Sequence, residues 1–179
     1  QVLAQLGMLP GPGLHGESES WPESAPPQQS IALTDNAGAR FIDDWVRVET
    51  NSESPCIWTR ELIPFDSLPH FSEIAMRLPL ASGEGRFVAK NHETLSALVE
   101  NDQIPLWYID NPNGSEARVA GVCDRSGLVF GLMPHPDRYL DRTNHPFWTR
   151  LEESDLEGDP PGLKMFRNAV EHAARTAAA

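Results

Sequence analysis

Taken as a pattern of apolar and polar positions, the chain alternates short apolar runs with turn-forming stretches and ends in one amphipathic helix. Val2 to Leu9 has the apolar density of a buried helix, ended by Gly7 and by Pro10-Gly11-Pro12-Gly13. An uncapped apolar helix is an unusual way for a domain to begin, so the run predicts a chain truncated at its N-terminus. Residues 10 to 30, with five prolines and three glycines, predict a long irregular surface connection. Ile31 to Thr34 reads as a short buried strand, and Phe41 to Thr50 alternates as a half-buried one, with Trp45, Val46 and Val48 as its apolar positions. Cys56 to Thr59 predicts a helical turn. Glu73 to Ala81 predicts a strand carrying Ile74, Met76, Leu78 and Leu80 on one face.

A glycine-flanked turn at residues 82 to 86 leads into the strand Phe87 to Ala89. Asn91 then caps a helix whose apolar stripe is Leu95, Leu98 and Val99, with His92 on its surface. Ile104 to Ile109, Val119 to Cys123 and Leu128 to Met133 read as strands, the last two forming a hairpin about the loop Asp124 to Gly127. Residues 141 to 161 are polar and irregular, anchored by Pro146 and Trp148. The final helix starts near Gly162 and is predicted to bury Leu163, Phe166, Val170 and Ala174. Strands and helices in this order predict an α/β domain with an antiparallel hairpin extension.

Composition narrows the partners. The 179 residues suffice for one domain with its own core, and 40% apolar with 22% charged residues is ordinary for a globular protein. A net charge of −12 without a basic stripe excludes nucleic acid, and no apolar run is long enough to cross a membrane. Two cysteines, Cys56 and Cys123, are too few for a disulfide framework and point to a reducing cytoplasm. The six histidines lack zinc spacing, so no metal site is expected.

Candidate chemistry gathers in Gly131-Leu132-Met133-Pro134-His135-Pro136-Asp137-Arg138. A histidine and a carboxylate stand two positions apart where an apolar strand stops, and two prolines stiffen the turn around the ring. The plain alternative is a solvated surface turn. A histidine steered by a carboxylate is a general base in need of a nucleophile. Cys123 lies within a strand, and Cys56 follows Pro55 without a glycine-flanked elbow, so both read as structural. The helix lacking its preceding strand and elbow is the one that begins at Gln1, which places the missing group just upstream. The turn Gly83-Glu84-Gly85 lacks the lysine and hydroxyl of a phosphate loop, and reads as a structural turn or a docking turn for a partner.

The chain resembles the glutaminase subunit or domain of phosphoribosylformylglycinamidine synthase, a class I, triad-type glutamine amidotransferase. Gln1-Val2-Leu3 matches the end of that family's G-x-C-N-G-x-Q-x-L elbow, and Met8 to Gly11 its leucine-proline-glycine close. Asn36 and Arg40-Phe41 match N-x-x-x-R-F. Ser82 to Phe87 matches H-G-E-G-R-F, Asn111 to Ser115 N-P-N-G-S, Met133 to Arg138 M-P-H-P-E-R, and Phe166 to Ala169 a terminal F-R-N-A helix. The matches keep their order along the whole chain.

The resemblance implies the C-terminal part of a flavodoxin-like amidotransferase domain spanning residues 1–179, without its first βα units and elbow. It implies hydrolysis of glutamine to supply ammonia for ATP-dependent amidination of formylglycinamide ribonucleotide in purine synthesis. His135 would be the acid/base and Asp137 its orienting carboxylate. Gln1, four residues after the absent cysteine, and Asn36, Arg40 and Phe41 would bind substrate L-glutamine. The chain itself would hold no cofactor, ATP and Mg being expected on a synthetase partner, and the fragment alone would be inactive.

There are departures. Asp137 stands where the family has Glu, Ser82 where it has His, and Ile42 and Asp44 where it has Glu and Arg. These leave open a glutaminase-like scaffold that docks on a synthetase without catalysis, and more distantly a hydrolase of other specificity.

Overall fold

In the computed structural model the described residues are 1–16, 18, 20–21, 27–62 and 77–178. Helix α1 (Val2–Gln5) leads through the irregular stretch to β1 (Ile31–Thr34), β2 (Ile42–Val46) and β3 (Val48–Thr50). Then follow β4 (Leu78–Ser82), β5 (Arg86–Ala89), α2 (His92–Glu100), β6 (Leu106–Tyr108), β7 (Val119–Cys123), β8 (Phe130–Leu132) and α3 (Pro161–Ala177). Short 3-10 turns, among them Ile57–Thr59 and Pro136–Arg138, fill the connections. The α/β character is as expected, and every pairing among the described strands is antiparallel.

The strand expected over residues 41–50 is two strands. Its halves serve different sheets: β2 pairs with β4, whereas β3 joins the order β3-β6-β7-β8, and β1 pairs separately with β5. The break falls at Arg47, whose guanidinium forks onto Asp110, Nε to Oδ2 at 2.8 Å. A bidentate pair of this kind fixes direction as well as distance.

Period-two alternation divides the core. Leu106 and Tyr108 face a cluster with Val46, Leu78, Leu80, Tyr139 and Met165. Trp107 packs on the opposite side against Ile31, Phe87, Leu98, Ile104 and Val122.

Several burial expectations need correction. In α2 the inner face is Thr94, Ala97 and Leu98, and Val99 is 49% exposed. Asn91 does cap this helix, accepting from Thr94 N at 2.8 Å. In α3 the buried stripe is Pro161, Gly162, Met165 and Asn168, while Phe166 and Val170 are exposed. A polar residue turns that helix by about one position. The Asn168 amide donates to Arg60 O at 2.6 Å and Trp58 O at 3.1 Å, satisfying carbonyls that no apolar side chain could.

In α1 only Ala4 is buried, so the first run presents one face to the core and is not buried all round. The anchor of the 141–161 stretch is His145, packed edge-on against Trp45, whereas Pro146 and Trp148 are exposed. Of the strand expected over 73–81, Ile74 and Met76 lie outside the described residues.

Candidate functional site

The β7–β8 hairpin delivers the chain to His135. Its loop is organised by a buried carboxylate: Asp124 accepts from Val129 N at 2.9 Å and from Ser126 Oγ at 2.6 Å. Leaving β8, the backbone is tied at Met133, whose N–H donates to Ala120 O at 3.0 Å, and at His135, whose N–H donates to Pro79 O at 2.6 Å. Pro79 sits inside β4, and its free carbonyl serves a segment beyond the sheet's own ladder. Pro136–Arg138 then forms a 3-10 turn in which Arg138 N donates to His135 O at 3.1 Å.

Helix α3 seats on this turn at Gly162. A Cβ there would stand 2.1 Å from Pro136 O and 2.4 Å from Tyr139 O, so only glycine permits the approach.

The structure brings His135 and Asp137 together. Nδ1 of His135 lies 3.7 Å from Oδ1 of Asp137, with the side chains 35% and 63% exposed. That is ion-pair range and longer than a hydrogen bond. The ring borders an open cleft of about 310 Å³ lined chiefly by Trp58, Phe130, Leu132, Met165 and Phe166. Trp58 and Phe166 meet there edge to face, centroids 6.4 Å apart.

The other sequence-predicted residues form a second group. Asn36, buried at 3%, donates from Nδ2 to Arg40 O at 2.9 Å and to Ser82 O at 2.7 Å, and accepts from Gly85 N at Oδ1, 3.1 Å. Arg40 thus takes part through its carbonyl. Phe41, 68% exposed, lies beside Gly83. Gln1 joins the group at Glu84, donating from Nε2 to Oε2 at 3.2 Å.

Met133 links the groups, since a Cβ on Gly85 would stand 3.0 Å from its Cε. Gln1 and Met133 also line an apolar cavity of about 80 Å³ with Leu3, Leu9, Leu33 and Phe87.

Sequence reasoning passed over two residues of this group. The sequence reads Glu84 as part of a structural turn or a docking turn for a partner. Asn113, buried at 1%, donates to Gly85 O at 2.7 Å. Asn113 belongs to the N-P-N-G-S stretch, so its place was marked although its duty was not.

Cys56 and Cys123 are both fully buried free thiols, and the Cys123 Sγ lies 3.7 Å from Ser54 Oγ. The neighbouring Cys56 thiol and burial push the Cys123 thiol well above its ordinary range. Neither presents a nucleophile to the cleft. Among the described residues no group of His, Cys, Asp or Glu could hold a metal ion, and no helix is long and apolar enough to cross a membrane.

Residues 1–173 match the CobB/CobQ-like glutamine amidotransferase domain. The phosphoribosylformylglycinamidine synthase subunit PurQ of Dehalococcoides mccartyi is 34% identical over 179 residues, covering 97% of this chain and 60% of that protein. The subunit of the same name from Thermomicrobium roseum is 42% identical over 151 residues, covering 79% of this chain and 51% of the relative. Among solved structures, a chain of PurLQS from Thermotoga maritima superposes with a TM-score of 0.51 at 29% identity, covering 79% of this chain and 52% of that one. The chain therefore spans about 60% or less of the length of these relatives.

Proposed function

The chain belongs to the CobB/CobQ-like glutamine amidotransferase family, and on that premise we propose that it is part of a glutaminase serving phosphoribosylformylglycinamidine synthesis. The observation that carries the reading is the turn at His135. An imidazole faced by a carboxylate is fixed by Pro79 and Gly162 at the mouth of an apolar cleft, one β-strand away from the polar group of Asn36, Glu84 and Gln1.

In this reading a thiolate attacks the side-chain amide carbon of glutamine. His135 gives the departing nitrogen its proton, so that ammonia leaves and a thioester remains. The same ring then takes a proton from the water that releases glutamate. Asp137 is the carboxylate that orients the ring. Asn36, Arg40, Phe41 and Gln1 hold the amino-acid end. Cys56 and Cys123 are buried, and the resemblance of Gln1-Val2-Leu3 to the family's elbow implies a thiol four positions before Gln1. The fragment alone is then inactive. ATP and Mg are expected on a synthetase partner.

The test is His135→Ala in the full-length protein with its synthetase partner. Glutamine-driven synthesis should vanish while ammonia-driven synthesis continues. Equal loss of both would make His135 structural, and glutamate released by the 179-residue chain alone would overturn the placement of the thiol. The 3.7 Å gap between His135 and Asp137 favours a second reading, a scaffold without catalysis. Under it, even the unaltered full-length protein would support ammonia-driven synthesis only.

A further inference from the structure

The Gly83-Glu84-Gly85 turn is held more firmly than chain reversal requires. Asn36 donates from its backbone N–H to Gly83 O at 3.0 Å and from its amide to Ser82 O, and its side-chain oxygen accepts from Gly85 N. Asn113 holds Gly85 O from the other side. Two buried amides thus fix the backbone before and after Glu84, whereas Glu84 is itself exposed. A buried amide costs stability unless its hydrogen bonds are made, so a plain surface turn is ordinarily satisfied by its own backbone and by water.

What this pedestal presents is one carboxylate at a fixed point. Its Oε2 accepts from Gln1 Nε2 at 3.2 Å, and the turn abuts Met133, two residues before His135. Strand β4 runs from the turn to Pro79, which holds the His135 N–H. Pro79 and Ser82 are three strand steps apart, roughly 10 Å. An extended glutamine measures on the order of 6 Å from its α-nitrogen to its amide. A glutamine with its amide at the His135 ring is long enough, with the two side chains closing the remaining distance, to bring its amino-acid end to Glu84.

We propose that Glu84 is a specificity-determining residue that receives the α-ammonium of the substrate amino acid, with Gln1 steadying its carboxylate. The inference rests on the glutaminase reading. A fixed carboxylate supplies an α-ammonium with a charge-assisted hydrogen bond. An amide carrying no α-ammonium gains nothing from it.

The experiment uses the full-length protein assembled with its synthetase partner. Glu84→Gln should raise KM for glutamine about 10- to 100-fold, the range expected for one hydrogen bond to a charged group, with kcat and ammonia-driven synthesis little changed. Glu84→Asp should recover part of the loss. The decisive comparison is with 4-carbamoylbutanoate, which is glutamine without its α-ammonium. The parent protein should favour glutamine over this amide, and Glu84→Gln should have lost that preference. An unmoved KM, an equal loss with both amides, or a parallel loss of ammonia-driven synthesis would each overturn the proposal. An unaltered protein without any glutamine-driven synthesis would overturn the glutaminase reading itself.

Discussion

Replacing Gly162 with alanine perturbs the turn at His135 without touching either of its functional side chains. The new methyl would sit 2.1 Å from Pro136 O and 2.4 Å from Tyr139 O, where a real carbon needs about 3.0 Å or more. Both obstacles are backbone, so the helix must retreat by nearly 1 Å or the turn must move with it. Alanine regains up to ~1 kcal/mol of helix propensity, but overpacking of a tight contact costs about 1–3 kcal/mol. A net loss of about 1–2 kcal/mol should appear as a lower urea midpoint with an unchanged slope. Gly38→Ala, where no atom stands within 4 Å of the new methyl, is the stability control and should match the parent.

The turn carries His135 and Asp137, and a displacement near 1 Å can cost on the order of 100-fold in rate. Glutamine-driven turnover of the full-length protein should fall by about that factor, with ammonia-driven turnover retained. A Gly162→Ala protein equal to the parent in both measurements would refute the idea that α3 sets the position of the turn.

Three further substitutions probe separate parts of the argument. Asp137→Glu adds one methylene across the 3.7 Å gap to His135 and should raise glutamine-driven kcat severalfold; no change or a fall would mean that the carboxylate does not act through the ring. Asn36→Ala removes a buried side chain that makes three hydrogen bonds and should cost about 2–4 kcal/mol by urea unfolding while raising KM for glutamine; a cost under about 0.5 kcal/mol would contradict the clamp. The Arg47 guanidinium holds the Asp110 carboxyl below its usual range. A depressed folded pKa stabilises above the unfolded value, near 3.9, and is lost as pH falls through the folded value. Asp110→Asn should therefore cost no more than ~1 kcal/mol at about pH 7, because the pair is partly exposed, and the deficit should shrink as pH falls below about 3.9. An undiminished deficit in acid would sink the ion-pair account.

Local signals carried much of the fold. Strands over 31–34 and 119–123, the Asn91 cap and the hairpin to His135 follow from alternation and turn chemistry, which act over a few residues. The errors are all long-range. Nothing near Arg47 announces that Asp110 will draw the chain from one sheet to another. The apolar stripe of α3 misled because Asn168 is needed inside for carbonyls about a hundred residues away. Of the candidate site, the His-x-Asp pair was visible from its setting at a strand end. The cluster of Asn36, Glu84 and Asn113 was visible only as three separate motifs, because its unity lies in hydrogen bonds between segments 28 to 49 residues apart.

The sealed thiols have a practical consequence for chemistry on the intact protein. Cys56 and Cys123 are fully buried, and burial with the neighbouring Cys56 raises the Cys123 thiol above its ordinary range. A short exposure to an alkylating electrophile should leave both untouched, so these 179 residues form a silent background. Any carbamidomethyl mass gained by a form that carries the proposed upstream thiol then counts its accessible thiols directly, and an electrophilic glutamine analogue becomes a stoichiometric titrant for working sites. Protection of that signal by glutamine would measure occupancy with no turnover at all.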